Sequence, residues 1–314
     1  MTTDKIEPGQ PAPPPALGGL ANNGVLLLVL TTLFWGGNAI AGKLAVGVVS
    51  PFILTVLRWL LATAILVVIA RPHLRRDWPV IRKNLWFLLL LGGLGFSAFN
   101  GALYTALKYT TAINVTILQA GMPMVIFALN FVIFRTITHP AQAFGYFITL
   151  LGVLITAARG DWRELANLAF NFGDLLMLGA IVVYGGYSVA LRNKPQMHWL
   201  SFLTVLAAAA LIAALPMAAF EIATDTAIWP TGPGAWAIVI YTTVFPSILA
   251  QGFFIRGNEL LGGNAAGLFL NLVPIFGALL SVLILGEDFR AYHGVALVMV
   301  IGGILIAQWL VLRD

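Results

Sequence analysis

Ten apolar stretches of roughly twenty residues, divided by Pro, Gly and charge clusters, constrain this chain more than any other feature. A helix of about 20 residues, rising 1.5 Å per residue, crosses the ~30 Å hydrocarbon core of a bilayer. Read from the breaks, the spans are 24–46, 51–70, 85–107, 111–134, 141–158, 173–192, 198–219, 234–256, 262–285 and 292–312. The expected fold class is therefore an all-α polytopic membrane protein with ten transmembrane helices. Composition agrees: 60% of residues are hydrophobic and 9% charged, where soluble domains carry about 25% charged residues. Mean hydropathy is +0.94. A soluble enzyme and a nucleic-acid-binding module are both excluded, despite a net charge of +5. The absence of cysteine excludes disulfides, thiolate nucleophiles and sulfur-ligated metal.

Residues 1–23 are polar and hold Pro8, Pro11, Pro13, Pro14 and Pro15. Such a segment buries too little to order itself and reads as a disordered cytoplasmic tail. The following apolar run lacks a small-residue cleavage site, so the first span is expected to stay as an anchor. With the N-terminus inside, Lys5, Arg71, Arg75, Arg76, Arg82, Lys83, Arg135, Arg192, Lys194, Arg256 and Arg313 fall on one side. Lys43, Lys108, Arg159, Arg163 and Arg290 fall on the other, and Arg58 lies within a span. The positive-inside rule reads eleven against five as both termini cytoplasmic. Segment 161–172 reads as a short interfacial helix.

An internal repeat follows at an offset near 150 residues. Trp35-Gly36-Gly37-Asn38 corresponds to Tyr184-Gly185-Gly186-Tyr187, and Asn100-Gly101 to Gln251-Gly252. Met122-Pro123 corresponds to Val273-Pro274, and Gly152-Val153-Leu154-Ile155 to Gly303-Ile304-Leu305-Ile306. The domains are then 24–158 and 173–312, joined by an external linker at 159–172. Each repeat holds five spans, an odd number, so the second copy enters the membrane from the opposite side. Inverted repeats are a signature of secondary transporters whose substrate site lies near the midplane between the halves.

These motifs resemble the drug/metabolite transporter superfamily, specifically its ten-helix EamA-type members, across nearly all of 24–312. The resemblance rests on Phe34-Trp35-Gly36-Gly37-Asn38, Leu57-Arg58-Trp59, Ala106–Pro123, Glu259–Pro274 and Leu285-Gly286-Glu287. It implies a multi-pass carrier of the bacterial inner membrane, among relatives that export amino acids or other metabolites. Aromatic amino acid exporters of the YddG type are the nearest functional analogy. A carrier of a drug-like cation, sugar derivative or purine is the alternative within the class, and a non-transporting receptor lies outside it.

Polar residues at membrane depth are costly and mark candidate sites. Arg58 lies seven residues past Pro51, about 10 Å along the helix, with no acid in its own span. It is either a cationic site for a substrate carboxylate or a structural arginine bonded to neighbouring helices. Trp35 and Asn38, with Tyr184 and Tyr187 at matching places, fall near the midplane and could meet a substrate or join helices. Asn100, Tyr104, Gln119, Gln251 and Asn271 complete the substrate-binding candidates. Gln119 and Asn271 sit about one turn before Pro123 and Pro274, expected kinks that free backbone carbonyls. Lys43 reads as an interfacial anchor.

The acids and the four histidines all fall in the tail, in loops or near span ends, which favours a facilitator or exchanger over a proton-coupled pump. Without acid, base or nucleophile clusters at depth, no enzyme is expected. Gly37–Lys43 has P-loop spacing, but Leu44 replaces the Ser or Thr that would meet Mg²⁺, and the segment lies in an apolar span. Gly93–Ala98 imitates a dinucleotide fingerprint and fails the same context test. No cofactor or metal is expected. The expected partners are a small-molecule substrate and the lipid bilayer, with the protein a monomer.

Overall fold

A computed structural model describes residues 23–135, 140–161, 171–261 and 269–309. Most of the expected tail, the interfacial segment, the start of the ninth span and the end of the tenth lie outside the described residues. Among the described residues, helices are labelled in chain order: α1 (Gly24–Leu44), α2 (Pro51–Lys83), α3 (Leu85–Ala106), α4 (Ala112–Phe134) and α5 (Pro140–Ala157). They continue as α6 (Phe172–Ala190), α7 (Trp199–Ala223), α8 (Gly232–Leu261), α9 (Leu272–Leu285) and α10 (Ala291–Trp309). Among the described residues, α1 to α4 and α6 to α8 are long and apolar enough to cross a membrane, while α5, α9 and α10 are shorter apolar helices. No strand occurs among the described residues.

Local chemistry sets the ends. Asn23 caps α1 by accepting from the Leu26 amide at 3.1 Å. Pro51 opens α2 at a position where its missing N–H costs nothing. The segment expected as a loop at 71–84 is instead a helical extension of α2, reaching Lys83 through Pro72 and Pro79. Its side chains explain the continuation: Asp77 and Ile81 are buried, and Asp77 Oδ2 accepts from the His198 amide at the head of α7 at 2.9 Å. Docking on α7 offsets the helix bonds that the two prolines forfeit. Helix α8 likewise outruns its expected end at 256, held by Leu28 against Gly257 and by the Arg256–Glu259 pair at 3.0 Å.

Helix–helix packing follows an exchange pattern. Helix α2 packs on α7 and α5 on α10; α1 lies against α8 and α9, while α6 lies against α3 and α4. Replacing each helix by the one five places on exchanges α1–α8 with α6–α3 and α1–α9 with α6–α4, and returns α2–α7 and α5–α10 to themselves. Wide π turns also recur, at Gly93–Ala98 in α3 and Thr243–Leu249 in α8. Helix association in lipid depends on close van der Waals approach, which favours small residues. A Cβ on Gly36 would lie 2.9 Å from the Gly277 nitrogen, and one on Gly185 would lie 2.8 Å from Val125 Cγ1. The first glycine of each matching pair is thus where α1 meets α9 and α6 meets α4.

The connections gather at two ends. At one end, the loops after α1, α3, α5, α7 and α9 touch one another: the Ser50 amide donates to Ile228, Lys43 to Thr110, and Tyr292 packs on Gly160. At the other end His73 stacks on His198, their ring centroids 3.6 Å apart. Burial, then the facing His73, depress the His198 pKa below its ordinary 6.5. The folded protein holds this imidazole neutral while the unfolded chain protonates it near 6.5, so its stabilisation is intact above that pH and lost as pH falls below it. Thermal stability is accordingly expected to decline as pH falls below 6.5. His73→Gln should shallow the decline; an unchanged slope in a melting series would assign it elsewhere.

Candidate functional site

Arg58 is the hub of the bundle interior. It is 4% exposed and reaches three other helices. Nε donates to Ser247 Oγ in the π turn of α8; Nη1 donates to Asn38 Oδ1 on α1 at 3.1 Å and to Asn100 Oδ1 on α3 at 2.7 Å, and also to the Tyr104 hydroxyl. Tyr104 in turn donates to Asn38 Oδ1 at 2.8 Å, and Asn38 Nδ2 to Asn100 Oδ1 at 3.3 Å. Asn100 Nδ2 is satisfied by the Phe96 carbonyl at 2.7 Å, and Ser247 Oγ donates to the Thr242 carbonyl at 2.7 Å. Both carbonyls lie at π turns, where altered backbone bonding frees acceptors for side chains. Among the described residues no ion pair involves Arg58, and its Nη2 makes no hydrogen bond. All its partners are neutral, so the guanidinium retains an uncompensated charge.

Aromatic rings flank this hub. The Arg58 guanidinium carbon lies 4.8 Å from the Trp59 ring centroid, and Trp59 stacks on Phe96 at 4.9 Å. Phe96 meets Tyr187 at 5.9 Å, Tyr187 meets Tyr184 at 5.2 Å, and Tyr184 meets Phe99 at 5.0 Å. Tyr187 reaches this position because Gly95 leaves its ring the space of a Cβ. On the α8 side, Trp35 Nε1 donates to the Pro246 carbonyl at 3.3 Å and its ring lies 5.4 Å from Phe254.

The EamA-like transporter family matches residues 22–158 and again 171–309. The chain belongs to this family. It is similar to the uncharacterized transporter YyaM of Bacillus subtilis, at 24% identity with 90% of this chain and 92% of that protein covered. It is also similar to the uncharacterized transporter YetK of the same organism, at 25% identity over 86% of this chain and 82% of the relative. An uncharacterized transporter of Archaeoglobus fulgidus matches at 25% identity, covering 90% and 96%. A chain of known crystal structure shares the fold, with a TM-score of 0.62 at 22% identity over 92% of this chain and 98% of that one. This EamA-family protein is therefore a multi-pass membrane transporter.

Of the ten substrate-site residues named from sequence, Asn38, Arg58, Asn100 and Tyr104 meet directly. Tyr184 and Tyr187 join them through Phe96 and Phe99, and Trp35 lies against α8. Gln119 and Gln251 are half-buried with no hydrogen bond described, while buried Asn271 leaves Nδ2 without a partner. Pro123 and Pro274 each follow a break: α4 is interrupted at Ala120–Gly121 and restarts at Met122, and α9 begins after the turn at Asn271. Sequence reading missed Ser247 and Tyr241. Ser247 follows Pro246, the signal that exposes it, and Tyr241 fits where Gly37 lacks a side chain.

One sequence expectation changes. Lys43 is not a snorkelling anchor, because its Nζ donates to the Leu107 and Thr110 carbonyls at 2.9 and 2.7 Å and closes the C-terminus of α3. Among the acids near span ends, Asp174 is fully buried and Glu221 is 6% exposed. Glu221 Oε2 accepts from Ser50 Oγ and the Phe52 and Ile53 amides, and Glu287 accepts from the Ala112 and Ile113 amides. Glu221 and Glu287, both from the second half of the chain, thus each cap a helix of the first.

Proposed function

We propose that this EamA-family protein is an alternating-access carrier of small carboxylate-bearing metabolites, amino acids with aromatic or apolar side chains foremost, working as an exporter or facilitator in the bacterial inner membrane. The observation that carries this reading is Arg58, a buried guanidinium with neutral partners only and one nitrogen free of protein bonds. A carboxylate is the ligand that such a site lacks, and charge-assisted bonds of this kind are roughly twice as strong as neutral ones. The tyrosine–phenylalanine wall beside it supplies the apolar face that a substrate side chain needs. The two family matches, the recurring π turns and the exchange pattern of packing support two five-helix repeats in opposite orientation. The charge bias supports internal termini, and the bundle encloses its own small-residue contacts as a monomer.

Counterflow in proteoliposomes tests the substrate class. Vesicles loaded with a mixed amino acid pool should take up labelled Phe, Trp or Met and exclude phenethylamine and tryptamine. Exchange of the amines as fast as the acids would overturn the carboxylate reading and leave the carrier reading standing. No exchange of either set would redirect the search to the other solute classes.

A further inference from the structure

Four buried polar residues form a directed string at the end of the bundle where the loops after α1 and α3 meet. His293 Nδ1 accepts from the Arg290 amide at 3.0 Å, which leaves its proton on Nε2. Nε2 then donates to Asn114 Oδ1 at 3.1 Å, and Asn114 Nδ2 donates to Thr110 Oγ1 at 3.2 Å. Thr110 Oγ1 donates to Asp174 Oδ1 at 2.6 Å. Every bond points towards the carboxylate, an arrangement in which successive bonds polarise one another. All four are at least 96% shielded: Thr110 4%, Asn114 2%, Asp174 0% and His293 2% exposed. Thr110 and Asn114 belong to the first half of the chain, Asp174 and His293 to the second.

Asp174 Oδ2 is buried with no hydrogen-bond partner, and among the described residues no cation pairs with it. Arg159 acts on it from beyond ion-pair distance. Lys43 is spent on the Leu107 and Thr110 carbonyls, and Glu287 on the amides of α4. Tyr292 lies within electrostatic range of Arg290, Arg159, Asp174 and Glu287, Tyr109 lies beside Phe172, and exposed Lys108 and Asp161 lie in the loops after α3 and α5. A buried carboxylate with one oxygen unmet calls for a small cationic ligand, and a proton is the one that fits without displacing its neighbours.

We propose that Asp174 is a proton-binding site that latches this end of the carrier: ionised, it holds Thr110 and joins the halves; protonated, it releases them. The Thr110 bond is charge-assisted in the ionised form and loses that reinforcement when Oδ2 takes a proton. Opening this end separates Thr110 and Asn114 from Asp174 and His293, so the same bonds break on opening. The inference rests on the alternating-access reading, since opening has meaning only there.

The lack of native cysteine makes the test direct. Ile113, 0% exposed beside the string, is replaced by Cys, and maleimide labelling of the purified protein is followed against pH. Because only the thiolate reacts, each rate is divided by that of free cysteine at the same pH; between about pH 8 and about pH 5 this relative rate should rise about tenfold, the factor for losing a bond to a charged group. Asp174→Asn should label fast at every pH. Thr110→Val, which keeps the carboxylate and removes its donor, should do the same if the asparagine variant does not fold. A flat profile in the otherwise unchanged chain, or an acid rise that survives in the Asp174→Asn or Thr110→Val chain, overturns the proposal; survival moves the titration to His293 or Glu287. Labelling needs no substrate, so failure of counterflow leaves this result readable on its own.

Discussion

Arg58→Gln is expected to lower kcat/KM for carboxylate substrates by about 10- to 150-fold, the worth of one charge-assisted hydrogen bond at ~1.5–3 kcal/mol. Uncharged analogues of the same shape should lose less than about threefold, since they never met the charge. The variant also tests the structural role. The shorter glutamine side chain cannot reach Ser247, Asn38, Asn100 and Tyr104 together, although Tyr104 still donates to Asn38 and Ser247 to Thr242. Stability should therefore fall by about 1–3 kcal/mol, one acceptor's worth, and the fold should persist. Arg58→Lys keeps the charge and loses the planar fork that spans α1, α3 and α8 at once. It should restore carboxylate preference without restoring the full rate. Counterflow with paired acids and amides, alongside melting curves, separates the outcomes. Equal losses for charged and neutral substrates would make Arg58 a structural hub alone.

Whether a residue's partner lies within one span or across the bundle decided how much could be read in advance. Gly36 and Gly185 were legible as a pair because small residues at one offset mark matching helix contacts, and both meet a neighbour within 3 Å of a would-be Cβ. Arg58 stood out because a charge in an apolar span has so few explanations. Its partners were half legible: Asn38, Asn100 and Tyr104 are polar residues at similar depth, whereas Ser247 is one small hydroxyl in a long chain, recruited by a π turn. The partners of the acids were not legible for the same reason. Asp174, Glu221 and Glu287 sit near span ends, and their donors come from the first half of the chain, which no local pattern reveals. Residues 71–83 read as a loop because Pro72, Pro79 and the basic cluster look like breaks, yet the helix persists on its contacts with α7.

Glu221→Ala should destabilise the bundle by about 3–5 kcal/mol, and Glu221→Gln by only about 1 kcal/mol. The difference comes from which atom does the capping. With Pro51 first in α2, the free amides begin at Phe52 and Ile53, and both donate to Glu221 Oε2, at 3.2 and 3.1 Å. The N-cap residue Ser50 makes no capping bond of its own; it donates to the same Oε2 at 2.6 Å and accepts from the Ile228 amide at 3.1 Å. One oxygen thus meets three donors, and a glutamine carbonyl can occupy its place, losing only the attraction between the charge and the helix dipole. Alanine leaves two buried amides with nothing to accept them. At the head of α4 the arrangement differs: Glu287 gives Oε1 to the Ala112 amide at 2.9 Å and Oε2 to the Ile113 amide at 3.0 Å. A glutamine there must turn its NH₂ towards one of the two donors. Glu287→Gln should therefore cost more than Glu221→Gln, by about 1–2 kcal/mol. Melting temperatures of the three variants in one detergent check the order. Equal costs for the two glutamine substitutions would mean that charge at the helix end, and not the count of accepting oxygens, holds the two halves together at these helix ends.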